Sequence, residues 1–390
     1  MYKSFQDSSG NQQSVSNRSW LRPVWLVSFC LLLVGMLTVS QQAVTAVSSE
    51  SITNITADPS SPQVVDYTLY LPLISTPFIV EYTITQANAQ PRHIVAEAPG
   101  QVWFTLPGIN AVGSLVVNSA TDFEFTIYNA PTPNSDPHDL VLNTTNGVVW
   151  FTQPAVDQIG RLHMATGQID EFSFPAGSTP TGIARAGNGL IWVTLPGTNK
   201  IASFDPTDAT INEIAYDTVG AQFTDIAIAS NGLVWAAAPG LNRLVSYNPT
   251  NETFVNIRVG EIGSPTSYTP HAMVMQGSTP WVSIPSQNWL GRYSPGTLKL
   301  WLWYPAYTST GGPTALAHRT VGTSQEFWFV QPSDNRAARM IVNSQGTITS
   351  QAILGLPTAN SLPQGIAVDS NGHAWVAATN ANTIVELGQP

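Results

Sequence analysis

Seven tryptophans recur at nearly even intervals along this chain, each inside a short apolar segment that is usually followed by proline four residues on. They are Trp103, Trp150, Trp192, Trp235, Trp281, Trp328 and Trp375. The successive spacings are 47, 42, 43, 46, 47 and 47 residues. A period of about 40–50 residues is that of one four-stranded blade of a β-propeller. The repeat therefore predicts an all-β fold with seven blades.

A second apolar segment precedes each tryptophan and predicts the inner strand of the blade. These segments cover residues 91–95, 137–141, 180–184, 223–227, 270–274, 313–317 and 363–367, and six of them begin with proline. Proline can begin a strand, because the first position need not donate to the ladder. In four blades an Asn-Gly pair separates the two strands, which predicts a hairpin turn with both residues at positive φ.

The two ends of the array predict how the ring closes. The last blade has segments for only three strands, at 365–368, 373–378 and 383–386. Residues 78–84, which precede the first inner strand, have the pattern of a fourth strand. An unpaired strand edge exposes backbone donors and acceptors, so pairing the two ends removes a site of aggregation. We expect residues 78–84 to complete the C-terminal blade, with Phe78, Val80, Tyr82 and Ile84 on one face.

The first 46 residues have the features of an export signal. Lys3, Arg18 and Arg22 precede an apolar run at 24–39, and small residues at 44 and 46 follow it. This predicts either a cleaved signal peptide or a retained signal anchor, and in both cases a secreted or extracytoplasmic protein. Contact with a membrane is expected only through residues 24–39, if they are retained. Residues 47–77 are assigned as a linker, and 78–390 as the propeller.

Cysteine content and charge exclude several classes of function. The one cysteine, Cys30, lies inside the apolar run, so the exported part can hold no disulfide and no thiolate metal site. Residues 1–46 contain three basic residues and one acid, which leaves 11 basic and 23 acidic residues and a net charge of −12. Nucleic acid is a poor partner for such a surface. We expect a monomer that binds a small molecule or a protein at the mouth of its channel.

Three short motifs suggest a family, and the match covers about residues 78–390. Pro-x-Gly-Ile-Ala, Asn-Gly-x-x-Trp-Phe-Thr and Gln-Ile-Gly-Arg-Leu resemble the streptogramin (virginiamycin) B lyases and the related NHL-type propellers. The resemblance implies a divalent metal such as magnesium, with His and Glu residues at the channel mouth, and an elimination reaction. It makes His271, in Pro-His-Ala-Met, the candidate catalytic residue. The family's Glu after Trp-Phe-Thr is absent here, where the seven positions hold Leu106, Gln153, Leu195, Ala238, Ile284, Gln331 and Ala378.

Polar residues at the beginning of the inner strands form the predicted ligand site. In a closed ring these positions converge at one mouth of the channel, and they are Arg92, His93, His138, Asp139, Asp225 and His271. The same residues could instead tie down loops or cap strands. The favoured prediction is a binding propeller without catalytic activity. The alternative is a metal-dependent enzyme, a lyase of the streptogramin B type or a lactonase-like hydrolase, with its site at the channel mouth.

Overall fold

The computed structural model describes residues 78–260, 268–294, 299–303 and 311–388, and all structural statements below concern these residues. The predicted export signal (1–46) and linker (47–77) lie outside them. No helix in these described ranges is long and apolar enough to cross a membrane.

The described residues form seven antiparallel sheets of four strands each, as the repeat predicts. A single strand, β1 (Ile79–Thr83), comes before the first complete blade. Six blades then follow in chain order: β2 (Ile94–Ala98), β3 (Gln101–Leu106), β4 (Ala111–Ser119) and β5 (Asp122–Asn129); β6 (Leu140–Asn143), β7 (Val148–Gln153), β8 (Gln158–His163) and β9 (Ile169–Ser173); β10 (Ile183–Arg185), β11 (Ile191–Leu195), β12 (Lys200–Phe204) and β13 (Ile211–Ala215); β14 (Ile226–Ile228), β15 (Val234–Ala238), β16 (Arg243–Asn248) and β17 (Thr253–Arg258); β18 (Met273–Gln276), β19 (Thr279–Ile284), β20 (Trp289–Ser294) and β21 (Lys299–Trp303); β22 (Ala315–Val321), β23 (Ser324–Gln331), β24 (Arg336–Val342) and β25 (Ile348–Gly355). The seventh blade contains β26 (Pro363–Val368), β27 (Ala374–Ala378) and β28 (Thr383–Leu387).

The predicted closure of the ring is confirmed. Strand β1 pairs antiparallel with β28, so that the sheet order of the last blade is β1, β28, β27, β26. Tyr82 and Ile84 are buried in one apolar cluster with residues of the first blade. The inner strands contact one another in cyclic order, from β2 through β26 and back to β2. All seven blades therefore surround one channel.

The tryptophan strands form the interior between blades. All seven repeat tryptophans are at most 4% exposed, which confirms the predicted register. Almost every residue of these strands is buried, because both faces of each sheet pack on neighbouring blades. The described residues contain no cysteine, so burial between blades stabilises the fold without disulfides.

The prolines after the tryptophan strands begin short 3₁₀ turns, which end at a residue in the left-handed conformation. The turns span Pro107–Ile109, Pro154–Val156, Pro196–Thr198, Pro239–Leu241, Pro285–Gln287 and Pro332–Asp334. The residue that ends each turn is Asn, or Asp157 in the second blade. Asn tolerates positive φ because its short polar side chain bonds locally. Asn335, for example, donates to the carbonyls of Leu356 and Thr358 and accepts from the backbone and hydroxyl of Ser361. The residue that ends the turn therefore hydrogen-bonds to the segment that connects its blade to the next one.

The Asn-Gly turns differ from the prediction in one respect. Only the glycines have positive φ, as in Gly189 and Gly232, whereas the preceding asparagines do not. Asn188 and Asn231 instead accept a hydrogen bond from the amide two residues on, at 3.2 Å in both cases. The asparagine therefore stabilises the turn through its side chain, as in an Asx turn.

Candidate functional site

The inner strands surround a cavity of about 1020 Å³, lined by residues from all seven blades. Most of the lining comes from three consecutive residues at the beginning of each inner strand, here called positions 1, 2 and 3; of these residues, only Leu140 and Gly182 do not line the cavity. Position 1 holds Arg92, His138, Thr181, Thr224, His271, Thr314 and Gln364. Position 2 holds His93, Asp139, Gly182, Asp225, Ala272, Ala315 and Gly365. Position 3 holds Ile94, Leu140, Ile183, Ile226, Met273, Leu316 and Ile366. The six predicted site residues all occupy positions 1 and 2, and all six line this cavity.

Hydroxyl groups from the tryptophan strands hold the inner strands in place. Thr105 accepts a hydrogen bond from the His93 amide at 3.1 Å and donates to the His138 carbonyl of the next blade at 2.9 Å. Thr152 repeats the arrangement with the Asp139 amide and the Thr181 carbonyl. On the inner-strand side, the hydroxyl of Thr224 at position 1 donates to the carbonyl of His271 in the next blade. These bonds fix the backbone from which the site residues project.

His93 and Asp139 form a charge pair between the first and second blades, with Nδ1 3.1 Å from Oδ1. Burial lowers the pKa of His93, but the charge and hydrogen bond of Asp139 outweigh it, so that the pKa is raised. Burial raises the pKa of Asp139, and the charge and hydrogen bond of His93 outweigh that effect, so that this pKa is lowered. The pair therefore favours an ionised carboxylate beside an imidazolium.

Both aspartates at position 2 also bind backbone amides of the inner strands. Asp139 accepts from the amide of Leu140 at 2.8 Å and from that of Ile183, in the next blade, at 3.0 Å. Asp225 accepts from the amides of Ile226 and Met273 at 2.7 and 2.6 Å. One carboxylate thus joins two neighbouring blades. In this structure both aspartates cap strands, and their role in a ligand site stays a prediction.

Asp225 differs from Asp139 in its charge state. Burial, followed by the charge of Asp139, raises the pKa of Asp225 to about 7. Its two amide donors favour the ionised form but do not offset the burial. Asp225 therefore gains and loses a proton close to neutral pH, whereas Asp139 remains ionised.

Two neutral histidines line the same mouth. Burial and the charge of His93 lower the pKa of His138 to about 3, and its buried Nδ1 atom has no hydrogen-bond partner. Burial lowers the pKa of His271, whose Nδ1 lies 2.8 Å from the carbonyl oxygen of Thr314. This contact makes Nδ1 the protonated nitrogen and leaves Nε2 of His271 without a proton.

The remaining ionisable residues are engaged elsewhere. Arg92 donates to Asp136 at 3.2 Å on the rim of the cavity. The other three histidines, His163, His318 and His373, contact Asp170, Gln325 and Glu386 respectively. None of the three lines the cavity.

The donors around the mouth do not fit a divalent metal. Each oxygen of Asp139 and Asp225 already accepts a backbone N–H group, and Asp139 also pairs with His93, so these carboxylates serve to hold the strands. Across the described parts of the chain, no group of three His, Cys, Asp or Glu side chains is placed to hold a metal ion.

Among the polar residues of the cavity that sequence reasoning missed are Thr314 and Gln364. They occupy position 1 in the sixth and seventh blades, and both line the cavity. The Thr314 hydroxyl is buried and has no hydrogen-bond partner. The signal was present in the alignment of the repeats, because both occupy the column that contains Arg92, His138 and His271.

Comparison with solved structures places this propeller beside known ones. A streptogramin B lyase superimposes with a TM-score of 0.69 at 23% identity, over 80% of this chain and 97% of that chain. A catalytically inactive virginiamycin B lyase from Staphylococcus aureus, with quinupristin, gives 0.69 at 22% identity, over 81% of this chain and 100% of that one. The extracellular domain of a hybrid two-component system from B. thetaiotaomicron gives 0.57 at 12% identity, over 80% of this chain and 40% of that chain. The sequence matches no protein-family model and none of the curated proteins with which it was compared. The chain therefore shares the propeller fold of the streptogramin B lyases.

Proposed function

We propose that this protein is an extracytoplasmic binding propeller that holds a small molecule at the mouth of its channel without transforming it. The observation that carries the proposal is the state of the carboxylates. Asp139 and Asp225 each accept hydrogen bonds from two backbone amides, and Asp139 also pairs with His93, so every oxygen of both carboxylates is already engaged in holding the inner strands. The cavity, about 1020 Å³, is large enough for a small molecule.

The lining suits a ligand that is polar at one end and apolar at the other. Imidazole, hydroxyl and amide groups lie at position 1, whereas position 3 and the residues after it supply apolar walls. Buried polar groups without a partner, such as His138 Nδ1 and the Thr314 hydroxyl, are costly unless something binds them. A bound ligand would supply those partners.

A screen by ligand-observed NMR, with a library of small fragments and the purified protein, tests this proposal. Gln364→Trp should fill the mouth and abolish binding of the fragments. Val219→Trp is the matched control, because Val219 is 81% exposed and does not line the cavity. Fragments that bind both variants equally well would place the binding site elsewhere, and the absence of any bound fragment would reject the proposal.

A second function, an enzyme of the streptogramin B lyase or lactonase-like type, is favoured by one observation. The contact of His271 Nδ1 with the Thr314 carbonyl orients an unprotonated Nε2, which a general base requires. Incubation with a streptogramin B antibiotic and a magnesium salt distinguishes the two functions. Metal-dependent ring opening that disappears in His271→Ala would contradict a binding role without catalysis.

A further inference from the structure

One backbone amide in each blade turns away from its own sheet, toward the channel. The amide of Thr105 donates to the His93 carbonyl, so the backbone carbonyl of His93 faces β3. Because these directions alternate along a strand, the N–H group of the next residue, Ile94, faces away from β3. The same alternation applies to position 3 in the other blades. It is visible directly at Leu140, Ile183, Ile226 and Met273, whose amides donate to aspartates.

These aspartates cap four of the seven amides. Each position 2 aspartate serves the amide of its own blade and that of the next blade, so Asp139 and Asp225 together cover blades two to five. The remaining amides belong to Ile94, Leu316 and Ile366. No side chain accepts a hydrogen bond from them in the part of the chain that the structure describes.

The composition of position 2 explains the gap. The cap would come from position 2 of the same blade or of the preceding blade, and this position holds Ala272, Ala315 and Gly365 in blades five, six and seven. In blade one it holds His93, which is paired with Asp139 and is not an acceptor. At Gly365 an aspartate could not fit, since a Cβ would lie 2.3 Å from the Arg92 carbonyl oxygen. Blades six, seven and one are neighbours in the ring, so the three uncapped amides form one continuous arc.

The side chains beside this arc are also hydrogen-bond donors or can act as donors. Position 1 of the same three blades holds Thr314, Gln364 and Arg92, and all three line the cavity. The Thr314 hydroxyl is buried and unpartnered, which is a second, independent sign of a missing acceptor. An arc of amides with a hydroxyl and a carboxamide, beside a guanidinium that also donates to Asp136, is a site for an anionic oxygen.

We propose that the arc formed by blades six, seven and one binds the carboxylate group of a ligand, in the way that Asp139 and Asp225 bind the other four amides. The protein shows this geometry twice, with one carboxylate bridging the amides of two adjacent blades at 2.6–3.0 Å. The apolar walls below the arc then receive the uncharged part of the ligand. This inference rests on the proposed function and names the class of ligand: small organic acids with an apolar end.

The test compares 4-phenylbutyrate, its uncharged amide and inorganic phosphate as probes of the purified protein by isothermal titration calorimetry. The acid should bind, and the amide should bind roughly tenfold more weakly or worse, because a charged acceptor makes the stronger hydrogen bonds. Equal binding of acid and amide would overturn the inference, and so would binding of phosphate but not of the acid. Fragments that bind in the channel but contain no carboxylate would also overturn it, while leaving the proposed function intact.

Variants then locate the site. Ala315→Asp should place a carboxylate against the amides of Leu316 and Ile366 and reduce affinity for the acid by about tenfold or more, with an unchanged or higher melting temperature. Thr314→Val, which adds no charge, should reduce affinity for the acid by a smaller factor than Ala315→Asp does. Val219→Asp adds the same charge outside the cavity and is the control. If Val219→Asp weakens binding as much as Ala315→Asp, the effect is electrostatic repulsion and not occupation of the arc.

Discussion

The strand that closes the ring provides a quantitative test of the architecture. Tyr82 on β1 is 1% exposed, and its hydroxyl donates to Glu386 Oε2 in β28 at 2.8 Å, across 304 residues of sequence. Its ring stacks on Trp375 with centroids 6.2 Å apart. Tyr82→Phe removes only the hydrogen bond to the Glu386 carboxylate and should lower the free energy of unfolding by about 1.5–3 kcal/mol. Tyr82→Ala also removes a buried aromatic ring and should cost about 3–5 kcal/mol.

Urea denaturation monitored by tryptophan fluorescence measures both losses. Phe78→Ala is the control, since Phe78 precedes the same strand but is 43% exposed, and it should cost less than about 1 kcal/mol. Deletion of residues 78–84 should expose the edge of β28 and promote aggregation. If Tyr82→Ala is no more destabilising than Phe78→Ala, β1 does not stabilise the closed ring and the reasoning is refuted.

Three further predictions concern the core, the connections and the site. Trp328→Ala should destabilise the protein by about 3–5 kcal/mol in the same urea assay, because Trp328 is fully buried between blades; a loss below about 1 kcal/mol would contradict that packing. Asn335→Ala should cost roughly 2–4 kcal/mol, since it removes four hydrogen bonds and leaves alanine at positive φ; equal stability would show that these bonds contribute nothing net. The pKa of Asp225, raised to about 7, means that ionisation opposes folding, so stability relative to Asp225→Asn should fall as the pH rises from about 4 through 7. NMR of the carboxyl carbons should show Asp225 titrating near pH 7 and Asp139 below its ordinary range, and a normal midpoint for Asp225 would refute this assignment.

The repeat was readable from the sequence because its signals are local. A buried tryptophan, a following proline and a turn glycine each depend on a few neighbouring residues, so their spacing predicts seven blades and the register of each. The closure by β1 followed from counting strands. The left-handed asparagines have an equally local signal, which is a proline three residues earlier, as in Pro332 and Asn335.

The chemistry of the site was less predictable, because it depends on contacts between blades. Asp139 meets the Ile183 amide, and Asp225 meets the Met273 amide, across 44 and 48 residues. The sequence identified both aspartates as site residues but could not show that their oxygens were already engaged. Which amides lack a partner is invisible in sequence, since every residue except proline carries an N–H group. Only the ring order reveals that the uncapped amides are adjacent.

An experimental electron-density map of the protein crystallised with 4-phenylbutyrate tests the central claim most directly. We expect a carboxylate in the channel mouth that bridges two adjacent amides of the arc formed by Leu316, Ile366 and Ile94. Its oxygens should lie within about 3 Å of those amide nitrogens. The phenyl group should lie against the apolar walls below. A map that shows water along this arc, with the acid bound outside the channel or not at all, would contradict the proposed carboxylate site.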